Sequence, residues 1–578
     1  MTLSDAEVQK QLQQAEELLF SGPTRAGFAH ELYFGRFKSS AIIPAPELSP
    51  EEHEQGDPIV DAVKQFAERE IDPDAIDRQA DIPKSVIEGL GKLGVLGATV
   101  SPEHGGMGLS QQNYCRIMEI IGGRCGSTAV FVNAHHSIGL RGLELFGTPE
   151  QKERWMKPLA SGSKIAAFAL TEPEAGSDAS NVQTRAVPTD DGRGYKLTGE
   201  KRYITNGAIA DVLTVMARTP DPHDPDGKIT AFLVTPDMPG FKVVEARMEK
   251  VGIRGTATGR LAFEEMFVPK ENILGPIGKG LKVALTVLDF GRTTFGASCT
   301  GASKFCLEKA VEHANRRKQF GRTLGEFELV REKIANIAAE TFAMESATYY
   351  TASLIDSGAH DYMLETAMLK VFASDSLWKS VNDTLQIYGG AGFFTDLPFE
   401  RMMRDSRLNL IGEGANDVLR CFIAMVGLRH VGKELEATLK KPWTVNRLWR
   451  SAPSIPVLHS LIADATRTLS WQIGKFGKVC RNVLIKHRQK IIDQQLIQAR
   501  IGDIATELFM SSCVYARLGK MALKSNTSAQ RMQSIHTGMF YIHQAALRNE
   551  QRFNALNENY DDLLNQTATA WLGVRDEG

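Results

Sequence analysis

The sequence predicts a mainly α fold with a central β domain: an N-terminal helical domain, a β-sandwich or barrel, a four-helix bundle and an added C-terminal helical domain. Three observations carry that expectation. Apolar residues recur at helical spacing both before and after a middle stretch. Within that stretch the apolar runs become short, partly β-branched and bounded by Gly, Pro, Asp and Asn. With 578 residues, the chain exceeds what one ordinary core organises.

Residues 1–54 read as an extension holding one helix, Asp5–Leu19, and a Pro-rich approach at 42–50. Residues 55–163 read as helical. Val60, Val63, Phe66 and Ile71 share a face, Pro83 opens a further helix, and Gly105-Gly-Met-Gly marks a turn. Residues 164–276 form the β domain, with strands expected at Ile165–Leu170, Gly194–Thr198, Val212–Ala217, Ile229–Val234 and Gly259–Phe263. Residues 277–432 read as the bundle, with long helices over Glu326–Ile355 and Glu365–Tyr388, an interruption at Gly389-Gly-Ala-Gly and a new helix from Val418. Residues 433–578 read as the last helical domain, its helices beginning near residue 455.

Composition narrows the function classes. Apolar residues make up 43% and charged residues 24%, the profile of a globular protein. A net charge of −2 and a pI near 6.7 give no bulk basicity for nucleic acid. The seven cysteines (115, 125, 299, 306, 421, 480 and 513) show no ligand or disulfide spacing and read as thiols of a reducing compartment. Adjacent His135 and His136 lack a partner at metal-ligand spacing, so no metal is expected. Asp5, Glu7, Glu16 and Glu17 argue against a secretory or transit segment. The expected location is cytoplasmic, at the inner face of a membrane if the chain binds one. Residues 465–492 are basic, and Leu469, Ile473, Phe476, Cys480 and Leu484 recur at three and four residues, which suits an anionic surface. Trp443 and Trp449 among Lys and Arg would suit the same interface. The competing reading packs that apolar stripe inside the protein.

The motifs are more specific. Phe168-Ala-Leu-Thr-Glu-Pro-Glu-Ala-Gly-Ser-Asp178 is followed in order by Tyr203-Ile-Thr-Asn-Gly207, Gly252-Ile-Arg-Gly-Thr256, Val268-Pro-Lys-Glu-Asn272, Arg317-Lys-Gln-Phe-Gly321, Gln386-Ile-Tyr-Gly-Gly-Ala-Gly392 and Arg404-Asp405. This series, over about residues 55–430, resembles the acyl-CoA dehydrogenase family. The extension, His136-Ser-Ile-Gly-Leu and the C-terminal helices resemble its very-long-chain branch. The resemblance implies FAD-dependent α,β-dehydrogenation of long- or very-long-chain acyl-CoA in fatty acid β-oxidation. It also implies a homodimer that passes electrons to an electron-transferring flavoprotein.

The same resemblance implies residue roles. Glu413, between Gly412 and Gly414 and just ahead of a helix, stands where the family's base stands; burial should raise its pKa. Thr171, Gly176, Ser177, Tyr203 and Thr205 correspond to contacts with the flavin and its pyrophosphate. Arg317, Gln319, Phe320, Gln386, Gly389 and Gly390 correspond to contacts with the adenylate half, Arg317 to Phe320 reaching it from a neighbouring subunit. Arg292 corresponds to an arginine near CoA and the base, and Asn133 and Ala134 to acyl-pocket positions. The family usually has an aromatic at 412, threonine at 415 and Trp at 203, where this chain has Gly412, Ala415 and Tyr203. A roomier site would suit an oxidase, and a relative that serves in assembly suggests a scaffold with weak catalysis; both remain as alternatives.

Overall fold

The computed structural model describes residues 27–359, 361–440, 452–523 and 528–573. The expected helix Asp5–Leu19 and both Trp443 and Trp449 lie outside them. The chain divides into two compact units, one over Pro46–Ala415 and one combining Ala26–Ala45 with Asn416–Gly578. The first described helix, α1 (Phe28–Tyr33), belongs to the second unit.

The larger unit opens with α2 (Pro50–Glu70), started by a capping box in which Ser49 and Glu52 satisfy each other's backbone N–H. The Pro-rich approach therefore ends inside a helix. Asp72 caps α3 (Pro73–Gln79), and Pro83 precedes α4 (Lys84–Lys92). Ser110 caps α5 (Gln111–Arg124), followed by α6 (Gly126–Val132), a π-helical stretch Asn133–Leu140, α7 (Arg141–Phe146) and α8 (Pro149–Ala160). Val63, Leu90, Tyr114, Ile117 and Phe131 lie in one buried core beneath these helices.

The β domain is one curled, largely antiparallel sheet of eight strands. It comprises β1 (Ala166–Ala169), β2 (Arg185–Pro188), β3 (Gly194–Ile204), β4 (Val212–Asp221), β5 (Asp224–Val234), β6 (Phe241–Glu245), β7 (Gly259–Pro269) and β8 (Ile273–Leu274). The order is β6-β7-β3-β2-β4-β5-β8, with β1 parallel to β4. All five expected strands are present, several of them longer; β2, β6 and β8 were not foreseen. In β6, four of five residues are exposed, so it carries no burial alternation for a sequence reading to detect.

Next comes α9 (Gly280–Arg316), then a small hairpin of β9 (Lys318–Gln319) and β10 (Arg322–Thr323). The remaining helices of this unit are α10 (Glu328–Asp356), α11 (Met363–Tyr388), α12 (Gly390–Phe393) and α13 (Phe399–Leu408). Helix α9 packs against α5, α10 and α11. A Cβ on Gly301 would lie 1.8 Å from the Glu119 carbonyl oxygen, so glycine there lets the backbones of α5 and α9 touch.

The smaller unit contains α1, α14 (Asn416–Leu439), α15 (Ala463–His487), α16 (Gln495–Leu523), α17 (Ala529–Ala555) and α18 (Asp561–Leu572). Residues 27–45 are thus structurally part of this unit. Tyr33 is fully buried and donates to the Ile423 carbonyl at 2.7 Å, and Arg36 pairs with Glu434 at 2.7 Å. The apolar stripe of α15 is also core: Leu469, Ile473, Phe476 and Cys480 are buried. Among the described residues no helix is long and apolar enough to cross a membrane.

Candidate functional site

Glu413 lies in a turn between α13 and α14, with φ of 58° and Gly414 following at 100°. The residue is half-buried with its Oε2 shielded from solvent, and burial raises its pKa to about 7; Lys370, Arg292 and the Asn133 hydrogen bond all work the other way. Oε1 accepts from Asn133 Nδ2 at 2.5 Å, while Oε2 is buried without a protein partner. Oε2 sits over Gly291 of α9, where an added Cβ would be only 2.8 Å away. A dry carboxylate near neutral pKa with one oxygen unengaged can take a proton from a weak carbon acid.

Two cations frame the turn. Arg292 is buried, pairs with Asp289 at 3.1 Å and approaches the Glu413 carbonyl at 3.4 Å. Lys370, buried in α11, donates to the Gly414 carbonyl at 2.7 Å, and burial brings its pKa down to about 8. Lys370 and Gly291 were not singled out from the sequence. Lys370 left a signal, since it interrupts the apolar run Met368-Leu-Lys-Val-Phe on a helix with no solvent face there. Gly291 left none.

Beside the turn is a cavity of about 820 Å³, the size of a small-molecule site. Asn133, Val130, Phe295 and Cys299 line its inner part, and the exposed Lys64 and Glu68 its mouth. Ala134 is half-buried on the π-helical stretch beside Asn133 and is not among the cavity's lining residues. At Gly412 an added Cβ would make only ordinary contacts, 3.7 Å at the nearest, so the absent aromatic leaves space.

The residues expected at the flavin ring come together. The Arg202 N–H donates to the Thr171 carbonyl at 2.9 Å, joining the loop after β1 to the end of β3, which carries Tyr203 and leads into Thr205. Beneath them Lys201 and Glu172, both buried, pair at 2.6 Å; Lys201 also holds the Leu170 carbonyl, and Glu172 accepts the Gln183 and Thr184 N–H groups. This pair too was missed from the sequence. Tyr203 is 57% exposed at a φ of 62°, Gly176 and Ser177 are exposed, and nothing lies within 4 Å of a Cβ on Gly176. An aromatic held out at positive φ, and an open glycine turn in the loop that is tied to the same strand, fit a planar ring with a phosphate tail.

Arg317, Gln319 and Phe320 follow the end of α9, and Gln386, Gly389 and Gly390 stand at the end of α11. Phe320 tips the β9–β10 hairpin, 93% exposed at a φ of 52°. His313 stacks on Tyr388 at 4.0 Å, which holds the end of α9 against the end of α11. Cβ atoms on Gly389 and Gly390 would meet nothing within 4 Å. From Arg292 to Arg317 the chain advances about 37 Å along α9, so this group is remote from Glu413 in the same chain.

His135 has both ring nitrogens engaged. Nδ1 accepts from the Ala166 N–H at 2.9 Å, which leaves Nε2 to donate to the Leu159 carbonyl at 3.1 Å. His136 Nε2 accepts from the Thr99 N–H at 3.1 Å. Both rings are buried as packing groups.

Comparison with known proteins adds to this geometry. Profiles of the acyl-CoA dehydrogenase N-terminal, middle and C-terminal domains match residues 51–163, 167–266 and 278–428, and that of the ACAD9/ACADV C-terminal domain matches 460–570. The very long-chain specific acyl-CoA dehydrogenase of human mitochondria is 35% identical over 526 residues, covering 87% of this chain and 80% of that protein. The probable acyl-CoA dehydrogenase FadE10 of Mycobacterium bovis is 33% identical, covering 95% and 89%. Among solved structures, a Bacillus anthracis acyl-CoA dehydrogenase complexed with FAD superposes with a TM-score of 0.78 at 30% identity, covering 91% of this chain and 94% of that one. Butyryl-CoA dehydrogenase from Megasphaera elsdenii gives 0.61 at 33% identity, covering 65% and 97%.

Proposed function

Because the chain belongs to the acyl-CoA dehydrogenase family, we propose that it dehydrogenates long- or very-long-chain acyl-CoA thioesters to trans-2-enoyl-CoA in fatty acid β-oxidation, with Glu413 as the base. The observation that carries this reading is the Glu413 carboxyl, near neutral pKa, with Oε2 shielded and unengaged and Oε1 held by Asn133, a residue that also lines the 820 Å³ cavity. FAD, when bound, supplies the acceptor for the substrate's β-hydride. Glu413 removes the α-proton, and its backbone N–H is one donor to the thioester oxygen as charge develops there. Arg292 positions the turn and the CoA end of the substrate. Asn133 and Ala134 belong to the acyl side, and Gly412 and Gly414 give the thioester room.

Thr171, Gly176, Ser177, Tyr203 and Thr205 hold the flavin and its pyrophosphate. The adenylate half is held by Arg317, Gln319, Phe320, Gln386, Gly389 and Gly390. The 37 Å or so along α9 between Arg292 and Arg317 exceeds what one dinucleotide spans, so these residues serve the site of a second copy. A homodimer is the smallest assembly that supplies it. On this reading residues 55–163, 164–276 and 277–415 form the catalytic body, and α14, expected within the bundle at 277–432, belongs with the added domain 433–578. The electron acceptor is an electron-transferring flavoprotein. Contact with an anionic membrane surface relies on the exposed Arg467, Lys478, Lys486 and Lys490 with Trp471, since the apolar stripe of α15 is engaged in the core.

Anaerobic titration with acyl-CoAs of increasing length tests the assignment. Bleaching of bound flavin by palmitoyl-CoA, lost in Glu413→Gln, is the expected result. Absence of bleaching with every acyl-CoA would favour a scaffold, and rapid reoxidation by air with product bound would favour an oxidase.

A further inference from the structure

The Glu413 carboxylate ends a line of buried polar groups that the α-proton abstraction does not itself call for. An ionised carboxylate only accepts hydrogen bonds, so the Asn133 group facing Oε1 at 2.5 Å is its NH₂. The Asn133 oxygen then faces α9, where the Thr294 hydroxyl donates to it in the shortest of its contacts; the Gly291 and Phe290 carbonyls of its own helix lie farther off, at 3.0 and 3.2 Å. Thr294 Oγ1 lies 3.0 Å from Ser137 Oγ, which lies 3.2 Å from the Tyr114 hydroxyl. With the Thr294 proton committed to Asn133, Ser137 donates to Thr294 and Tyr114 donates to Ser137, so every bond points toward the base. Tyr114, Ser137, Thr294 and Asn133 are buried, and the line ends on the half-buried Glu413, whose Oε2 is shielded from solvent. Tyr114 is fixed in turn by stacking on His136 at 4.4 Å, a ring anchored through its Nε2 to the Thr99 N–H.

We propose that Asn133 is a positioning residue for the base: its amide, oriented by Thr294, Ser137 and Tyr114, fixes Oε1 so that Oε2 is the oxygen presented to substrate, and it favours the ionised form of Glu413. The proposal rests on the reading of Glu413 as the base. It changes the role of Asn133 from a wall of the acyl cavity alone to a residue that lines the cavity and also holds the carboxylate. The alternatives for holding Oε1 are few. The charged and titratable groups that act on Glu413 are Lys370 from α11, Arg292 from α9, Cys299 from α9 and Tyr114 from α5. Lys370 and Arg292 donate to main-chain carbonyls of the turn, 2.7 Å to Gly414 and 3.4 Å to Glu413, and not to the carboxylate.

The test is the pH dependence of kcat/KM for palmitoyl-CoA in the flavin-loaded enzyme, since its acid limb reports the base in the free protein. Asn133→Leu removes a donor that favours the carboxylate, and a hydrogen bond to a charged group is large enough to move the limb up by about one pH unit. Asn133→Asp sets a second carboxyl against Oε1 and moves it further in the same direction. Thr294→Val leaves the amide in place but unoriented. It shifts the limb the same way by less, and it carries the readout should the Asn133 variants fail to fold. An unmoved acid limb in Asn133→Leu or, should that not fold, in Thr294→Val, beside an inactive Glu413→Gln, overturns the proposal alone. Full turnover in Glu413→Gln removes the base assignment and this proposal with it.

Discussion

Three of the residues expected at the site from the sequence, Tyr203, Phe320 and Glu413, have positive φ without being glycine. Bulky side chains avoid that region, at a cost of about 1–3 kcal/mol each, and hold it only where their surroundings impose it. At Glu413 the imposing groups are Lys370 on the Gly414 carbonyl and Arg292 near the Glu413 carbonyl. Wild-type kcat/KM is therefore expected to fall below an acid limb near pH 7, because the base works only when ionised and burial has raised its pKa to about 7. In Lys370→Met a cation that opposes that rise is gone and the limb moves up; a limb unmoved in this variant would count against the electrostatic role of Lys370. Gly291 allows a sharper separation of packing from stability. Alanine in the middle of α9 should stabilise the helix by up to about 1 kcal/mol. Its Cβ would nonetheless displace Oε2, 2.8 Å away. Misplacing a reacting group by about 1 Å can cost on the order of 100-fold. Ile138 lies only 3.0 Å from the same Cβ, so overpacking offsets the helix gain. Gly291→Ala is expected to hold the melting temperature near that of wild type while kcat drops at least tenfold, and unchanged turnover would mean that Oε2 need not rest there.

At the scale of elements, the loop after β1 and the end of β3 act together because a buried ion pair joins them. Lys201 and Glu172 are both essentially unexposed, and breaking such a pair by removing one partner typically costs about 3–5 kcal/mol, since the other charge stays buried. Lys201→Met should lower stability by that order and weaken flavin retention, because Leu170, Glu172 and Arg202 N–H set the position of Thr171. Thermal unfolding and the flavin-to-protein absorbance ratio measure both. Adding Glu172→Leu to Lys201→Met should recover part of the stability, and a single variant within about 1 kcal/mol of wild type would show that the pair is not the staple. This pair also marks where sequence reading stops. Periodicity found the long helices and the central strands because their pattern is local. Motifs found Thr171, Tyr203 and Glu413 because each is embedded in a recognisable string. Glu172 stands inside one of those strings and Lys201 two residues ahead of another, yet only the fold of the sheet shows that they meet. Asn133 was legible as a pocket position, but its contact with Glu413 joins residues far apart in the chain and has no local trace.

At the scale of the whole molecule, the same limit decided how the chain's beginning was read. Residues 1–54 look like an extension in composition, yet Phe28, Leu32 and Tyr33 are core residues of the smaller unit. Three contacts bind them there. A Cβ on Gly477 of α15 would lie 2.4 Å from the Gly35 nitrogen, a Cβ on Gly427 of α14 would lie 2.1 Å from the Tyr33 ring, and Arg481 donates to the Phe34 carbonyl at 3.3 Å. Glycines at those contacts make room for α1 and its turn, and without α1 they leave a groove lined by apolar core. Burying one large side chain contributes about 1.5–3 kcal/mol, so losing Phe28, Leu32 and Tyr33 together removes a substantial share of the 5–15 kcal/mol that a domain ordinarily has. Deletion of residues 1–45 should therefore destabilise the C-terminal helices selectively. The expected outcome is a separate, lower unfolding transition and faster proteolysis within residues 452–573. Glu413, Lys370, Arg292 and Asn133 all belong to the other unit, so the acid limb of kcat/KM in surviving enzyme should stay in place. A deletion variant that melts in one transition at the wild-type temperature would show that α1 is dispensable to the smaller unit.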